Sequence, residues 1–380
     1  MTQRKRALIC HERFLPRFGA DRVLINIGQH LAADGWKVDF MGQHFQPGLG
    51  AGTGGRQICI PAPSNYERFD EQTSAWLKEW DGKEKEGLKS YDLVVVGGWP
   101  FFSSIPLFRA SCAVVLFIDC GVVPNDGFPR ETVLIFDELR RLRRQNLALC
   151  THIAANSRFT LESQSVGDAG KGPLLCAILN GIDHLPAGSS ETAPRDAAVG
   201  KLVADAEASG RKLILLLGRF EPCGYKNSPA AMHLMRRVLV LEPGAVLLVL
   251  EKAAELSIDS ALTGRVVGLG HPDDQTLTWV MSRVQLGVSM SLWEGFNLPI
   301  AEMYLRGRAA LCFNLAAHPE VVLRPWFLCD DLDEMAGKAA VALCGESSMA
   351  RITAEEAKDY SARFTWARFM QELKCFTGIQ

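Results

Sequence analysis

Three hundred and eighty residues suffice for two domains of roughly 100–200 residues each, and a composition 48% hydrophobic and 22% charged belongs to a chain with packed cores, not a disordered one. With 41 Lys and Arg against 43 Asp and Glu, the formal charge of −2 removes the overall electrostatic case for a nucleic-acid binder. Eleven Cys without a C-x-x-C pair give neither a disulfide framework nor a zinc ribbon, the eight His lack metal-ligand spacing, and no stretch approaches about 18 uninterrupted apolar residues.

The basic start is followed by an apolar run, Ala7 to Cys10, too short for a signal peptide, so the expectation is a soluble, reduced, cytoplasmic chain without a bound metal. That same run reads as a strand. Residues 21–34 follow as a helix, with Val23, Leu24, Ile27 and Leu31 at helical spacing and Gly35 as its stop. Residues 36–40 give the next strand, and 93–96, 113–118, 152–155 and 175–179 continue the series. After a polar stretch the pattern restarts at 213–217, 245–250, 265–267, 286–289 and 309–313. Runs apolar on both faces, separated by helices, are what a parallel sheet covered on two sides requires. The fold class is therefore α/β, doubly wound, and built twice.

The turn signal Asn180-Gly181-Ile182-Asp183 closes the first half, and residues 184 to about 210, rich in Ala, Gly, Ser, Pro and charge, read as the link to the second. In such architectures the default ligand site lies at the carboxyl ends of the strands, here in a cleft between two sheets. Gly50-Ala51-Gly52-Thr53-Gly54-Gly55 satisfies G-x-G-x-x-G but precedes the strand-like Gln57-Ile58-Cys59-Ile60 instead of a helix. The pyrophosphate argument fails there, and the segment reads as a loop. Arg140, Arg141, Arg143 and Arg144 lie on a helix starting near Glu131 and carry two readings. One is a charged, solvated face; the other is a surface for anionic lipid, which would bring the chain to the inner face of a membrane.

Two segments carry chemistry. In Ser291-Leu292-Trp293-Glu294-Gly295-Phe296-Asn297-Leu298-Pro299-Ile300-Ala301-Glu302, Asn297 stands at a helix-cap position and Pro299 in the first turn. The loop thus offers backbone N–H groups and a positive helix end to an anion, with Glu294 and Glu302 placed to accept hydrogen bonds from sugar and ribose hydroxyls. Leu217-Gly218-Arg219-Phe220 ends the first strand of the second half, and Lys226-Asn227 follows in its loop. A guanidinium fork and an ammonium point charge at a strand end form a diphosphate clamp.

In this order and spacing, with His318-Pro319-Glu320-Val321-Val322 behind them, these motifs resemble the second domain of the retaining GT-B glycosyltransferases of the family 4 type. Ala155-Asn156-Ser157-Arg158-Phe159-Thr160, Asn180-Gly181-Ile182-Asp183 and Phe364-Thr365-Trp366 extend the likeness along nearly the whole chain. The resemblance implies an acceptor-binding Rossmann-like domain over 1–183, a sugar-nucleotide-binding one over 184–362, and a helix over 363–380 crossing back to the first. It implies that Arg219 and Lys226 hold the donor diphosphate as leaving group, that Glu302 binds ribose, and that Glu294, with the backbone of Gly295, Phe296 and Asn297, positions the sugar. Gly19 stands where the family has a glycine-rich turn near the diphosphate, and Leu269, Ser291 and Leu298 complete the donor set. The implied reaction moves a sugar, with retention and without a metal or other cofactor, from a nucleoside-diphosphate sugar to a glycan, glycolipid or small-molecule acceptor. Nucleic acid is not among the implied partners, and surface-polysaccharide synthesis is the implied setting.

The chain departs from the family in two places. Asp119 ends the strand where many members carry a His, and stands equally as a contact to the donor sugar or as a cap for the following loop. Asn297 replaces a glycine. Two competing functions remain: a non-catalytic sugar-nucleotide binder of the same fold, and a nicotinamide oxidoreductase, which lacks its glycine fingerprint between strand and helix.

Overall fold

The computed structural model describes residues 4–16, 18–50, 52–185, 193–345 and 347–379. Of the expected link between the halves, residues 186–192 lie outside the described residues, as does Ala51 of the glycine-rich loop. The chain divides into two compact units. Unit 1 comprises Met1–Val122, Pro129–Asn180 and Trp366–Gln380; unit 2 comprises Val123–Phe128 and Gly181–Thr365.

Unit 1 is built on a seven-stranded parallel sheet. In spatial order its strands are Gln57–Cys59, Lys37–Gly42, Arg6–Cys10, Leu93–Val96, Val114–Asp119, His152–Ala155 and Leu174–Ala177. Side chains alternate in direction along a strand, so Ala7 and Ile9 enter one apolar core while Leu8 and Cys10 enter the other. That is why Arg6–Cys10 is buried at every position and reads as a continuous apolar run. The first helix, Gly19–Ala33, starts two residues before the predicted Asp21 and buries Val23, Leu24, Ile27 and Leu31 in the same core as Ile9. The last helix, Trp366–Thr377, adds Trp366, Phe369, Met370 and Leu373 to that core.

Unit 2 repeats the design with six parallel strands in the order Val266–Gly268, Ala245–Val249, Lys212–Leu216, Leu286–Val288, Ala309–Phe313 and Leu328–Cys329. The sequence pattern does not show the edge strand Leu328–Cys329, because two residues are too few to display a period. Val123–Phe128 joins this unit through a hydrogen bond from Gly224 N to Gly127 O at 3.1 Å. Gly224 has φ of +78°, and a Cβ there would lie 2.2 Å from the Phe128 ring, so only glycine fits. Among the described residues no helix is long and apolar enough to cross a membrane.

Candidate functional site

The loop after strand Lys212–Leu216 and the loop after strand Leu286–Val288 meet in unit 2. Leu292 N donates to Tyr225 O at 2.7 Å, and the Trp293 ring stands edge-on to Tyr225 at 5.9 Å. This tie delivers Lys226 to Glu294, whose Oε1 accepts from Lys226 Nζ at 2.6 Å. The ammonium also lies beside the strand end: a Cβ added to Gly218 would sit 4.0 Å from Nζ. The two side chains are 20% and 11% exposed, so the pair is mostly shielded yet reachable. Burial pulls the Lys226 ammonium downward, but Glu294 and Tyr225 outweigh it and hold the group above the ordinary lysine value. Burial also pushes the neighbouring Tyr225 phenol up to about 12.

Glu294 is held from behind. Asn297 opens the helix Leu298–Leu305 with φ of +71°, a left-handed conformation that asparagine tolerates better than most residues. It does not cap that helix as predicted. Its amide Nδ2 donates instead to Ser289 Oγ at 3.1 Å and to His318 Nε2 at 2.9 Å. His318 Nδ1 donates to Phe313 O at 2.8 Å, which fixes the neutral tautomer, and burial lowers its pKa below the ordinary histidine value. Ala317 N donates to Glu294 O at 3.3 Å, so the turn before His318 also braces the loop.

The other predicted residues differ in access and in partners. Ser291 and Phe296 are each 2% exposed, and the Phe296 ring packs edge-on to Phe364, which leaves its backbone as the available part. Gly295 and Leu298 are buried in the same turn. Leu269 is buried beyond strand Val266–Gly268, its N–H donating to Val249 O at 2.8 Å. Glu302 lies inside the helix with Oε1 3.0 Å from His184 Nε2. Sequence reading missed His184, although it follows directly on Asn180-Gly181-Ile182-Asp183. Arg219, 55% exposed, reaches back to Glu221. Gly19 belongs to unit 1, where it is the first residue of helix Gly19–Ala33.

Asp119 takes the second of its two readings, the loop cap. It ends strand Val114–Asp119 as expected, but it is wholly buried in unit 1 and every acceptor direction is taken. Oδ1 accepts from Arg143 Nη1 at 2.9 Å and Gly121 N at 2.8 Å, and Oδ2 accepts from Arg143 Nη2 at 2.8 Å and Ser165 Oγ at 2.7 Å. Burial raises the carboxyl, yet the Arg143 guanidinium outweighs it and holds Asp119 below the usual aspartate value. The geometry is that of the loop cap, since a carboxylate with no open lone pair has nothing left to offer a sugar.

Arg143 therefore leaves the predicted basic surface. It is 2% exposed and pairs with Asp168 as well, at 2.8 Å. Of its neighbours, Arg140 pairs with Asp137 and Arg141 with Glu138. Such pairs three residues apart are what a charged, solvated helix face carries, and Arg144 on the same helix is exposed.

No family profile matches the sequence, and no curated protein matches it in sequence. Solved structures do match in three dimensions. Sucrose-phosphate synthase of Thermosynechococcus elongatus superposes with a TM-score of 0.73 at 16% identity, over 99% of each chain. HepE of Anabaena, solved with UDP and glucose, gives 0.69 at 16% over 99% of this chain and all of that one. An α,α-trehalose-phosphate synthase (UDP-forming) of Burkholderia vietnamiensis gives 0.71 at 13% over 98% and 96%. The fold is that of the GT-B glycosyltransferases. Within the GT-B fold, the Lys226–Glu294 pair and the left-handed Asn297 lie at the carboxyl ends of adjacent strands of unit 2, where doubly wound sheets place their ligands. Among the described residues no cluster of His, Cys, Asp and Glu is arranged to hold a metal ion.

Proposed function

We propose that this chain is a retaining, metal-independent glycosyltransferase that takes a sugar from a nucleoside-diphosphate sugar and passes it to a hydroxyl of a glycan, glycolipid or small-molecule acceptor. The observation that carries the reading is the shielded Lys226–Glu294 pair at the strand ends of unit 2. Breaking the anomeric C–O bond leaves the electron pair on the diphosphate and positive character on the sugar. A preorganised cation at the former and a carboxylate near the latter act where charge develops, in a setting where each is worth more than in water.

In this reading Lys226 and Arg219 take the diphosphate, Arg219 exchanging its exposed contact with Glu221 for phosphate oxygens. Glu294 and the backbone of Gly295, Phe296 and Asn297 orient the sugar, Glu302 accepts from ribose hydroxyls, and Ser291, Leu269 and Leu298 complete the surroundings. The acceptor hydroxyl attacks from the face the diphosphate leaves, and its proton passes to the departing phosphate oxygen, so no separate base is needed. HepE of Anabaena has been solved with UDP and glucose and with UDP-glucose, and the trehalose-phosphate synthase is UDP-forming; UDP-sugars are therefore the donors to try first.

Thermal stabilisation by a panel of UDP-, GDP-, ADP- and dTDP-sugars tests the reading, followed by transfer and donor hydrolysis with whichever stabilises. Stabilisation by one donor with turnover is the expected result. Stabilisation by NAD(P) and by no nucleoside diphosphate overturns it.

A further inference from the structure

The helix Leu298–Leu305 carries Glu302 and ends at a different feature. The turn Arg306-Gly307-Arg308 beyond its C-terminus forms one wall of an open cavity of about 620 Å³ within unit 2. The facing wall is one side of helix Ala354–Arg363, with Ala354, Ala357, Lys358 and Ser361. Every ionisable residue lining this space, Arg306, Arg308 and Lys358, is a cation.

Among the described residues none of the three has an ion-pair partner. Arg306 Nη1 donates to the Glu302 carbonyl at 2.6 Å and Nη2 to Thr278 Oγ1 at 3.3 Å, while its Nε is shut off from solvent without a partner. Arg308 donates to the Ser282 carbonyl. Partly buried guanidinium groups whose hydrogen bonds reach only neutral acceptors are incompletely compensated, even with the Glu302 carboxylate near Arg306 and Glu207 near Arg308, and this is costly. Burial outweighs these carboxylates and lowers both arginines below the ordinary value, and Arg283 adds like-charge repulsion at Arg308. An anion entering the cavity would relieve this imbalance.

We propose that the cavity binds a small phosphorylated anion, held by Arg306, Arg308 and Lys358. Two guanidinium forks one residue apart supply several planar donors, and Lys358 adds a mobile point charge. This donor set suits the spread oxygens of a phosphate better than a single carboxylate. A volume of about 620 Å³ exceeds inorganic phosphate and accommodates a phosphate ester. Neither Lys226 nor Glu294 lines this cavity, and Glu294 precedes helix Leu298–Leu305 while the arginines follow its last residue. A soluble phosphate ester and a phosphorylated lipid headgroup present the same chemistry, and the experiment tells them apart.

Calorimetric titration with a hexose monophosphate, and co-sedimentation with vesicles containing a phosphoinositide, are carried out on four proteins: wild type, Lys226→Ala, Lys358→Ala and the double variant Arg308→Gln/Lys358→Ala. Binding by wild type and Lys226→Ala with equal affinity is expected, weakened about tenfold or more in the double variant. Lys358 is exposed on its helix, so Lys358→Ala keeps the fold and carries the test if the double variant does not; a loss of several-fold is expected there, with nucleoside-diphosphate binding unchanged. Hydrogen exchange should slow over residues 305–309 and 352–361 on binding. Capture by vesicles without binding of the soluble ester, lost in the same variants, assigns the site to a lipid headgroup. Equal binding by the variants, loss in Lys226→Ala alone, or no binding of either ligand contradicts the proposal.

Discussion

The Asp119–Arg143 pair of unit 1 and the Lys226–Glu294 pair of unit 2 are both shielded and both stand beside strand ends, and they do opposite things. Asp119 and Arg143 in unit 1 form a closed set: each carboxylate oxygen accepts two hydrogen bonds, the guanidinium reaches a second acid, and neither side chain is more than 2% exposed. Lys226 and Glu294 in unit 2 share one hydrogen bond and keep measurable exposure, with acceptor and donor capacity left over. A saturated pair holds loops together, whereas an unsaturated one can admit a ligand. Residue type and strand-end position, which the two share, do not distinguish them; hydrogen-bond satisfaction does.

The largest effect that would sharpen this contrast is in stability. Asp119→Ala removes one partner of a fully buried pair and strands Arg143, so urea unfolding should show a loss of about 3–5 kcal/mol. An unchanged unfolding midpoint would break the comparison on its structural side. On the functional side, Lys226→Ala should lower turnover by roughly 10²–10³ at saturating donor. Its loss of stability should be far smaller, because the pair is partly solvated and Glu294 can rehydrate. Turnover equal to wild type would remove Lys226 from the chemistry.

Smaller effects concern the bracing of Glu294. His318→Phe deletes the acceptor that holds the Asn297 amide, and a cost of about 1–3 kcal/mol is expected from the unsatisfied buried donor. Because that amide fixes the Glu294 loop, donor KM should rise as well; a stability loss with unchanged KM would limit His318 to packing. The folded state keeps His318 neutral, with a pKa below the ordinary 6.5, so its contribution is complete above pH 6.5 and is lost as pH falls below that value. The wild-type melting temperature should therefore drop with acidification in that window, and part of the drop should vanish in His318→Phe. The smallest effect belongs to the surface: Arg141→Ala breaks an exposed helix pair with Glu138 and should change stability by about 0.5 kcal/mol or less.

Much of the fold was legible because both sheets are buried on two faces. Strands such as Leu93–Val96 and Ala309–Phe313 then appear as unbroken apolar runs with the bounds read from sequence. The Lys226 and Glu294 motifs were legible as well, since strand-end loops carry chemistry in this architecture. What sequence could not supply was partnership. Asp119 and Arg143 are 24 positions apart, and the π-helical turn Leu161–Ser165, which brings Ser165 to Asp119, has no signature in periodicity. The same holds for Asn297: an asparagine before a proline-containing helix start reads as a cap, and only the left-handed backbone and the distant His318 show its amide spent elsewhere. Long-range pairing depends on how elements pack, which spacing along one chain does not encode.

The central claim is that Lys226 receives the diphosphate of a nucleotide sugar. Calorimetric titration of the stabilising nucleoside diphosphate, without sugar or acceptor, into wild type and Lys226→Ala tests it most directly. The account expects binding to weaken by about tenfold or more, the scale of one lost charge-assisted contact. Equal dissociation constants for the two proteins would contradict it.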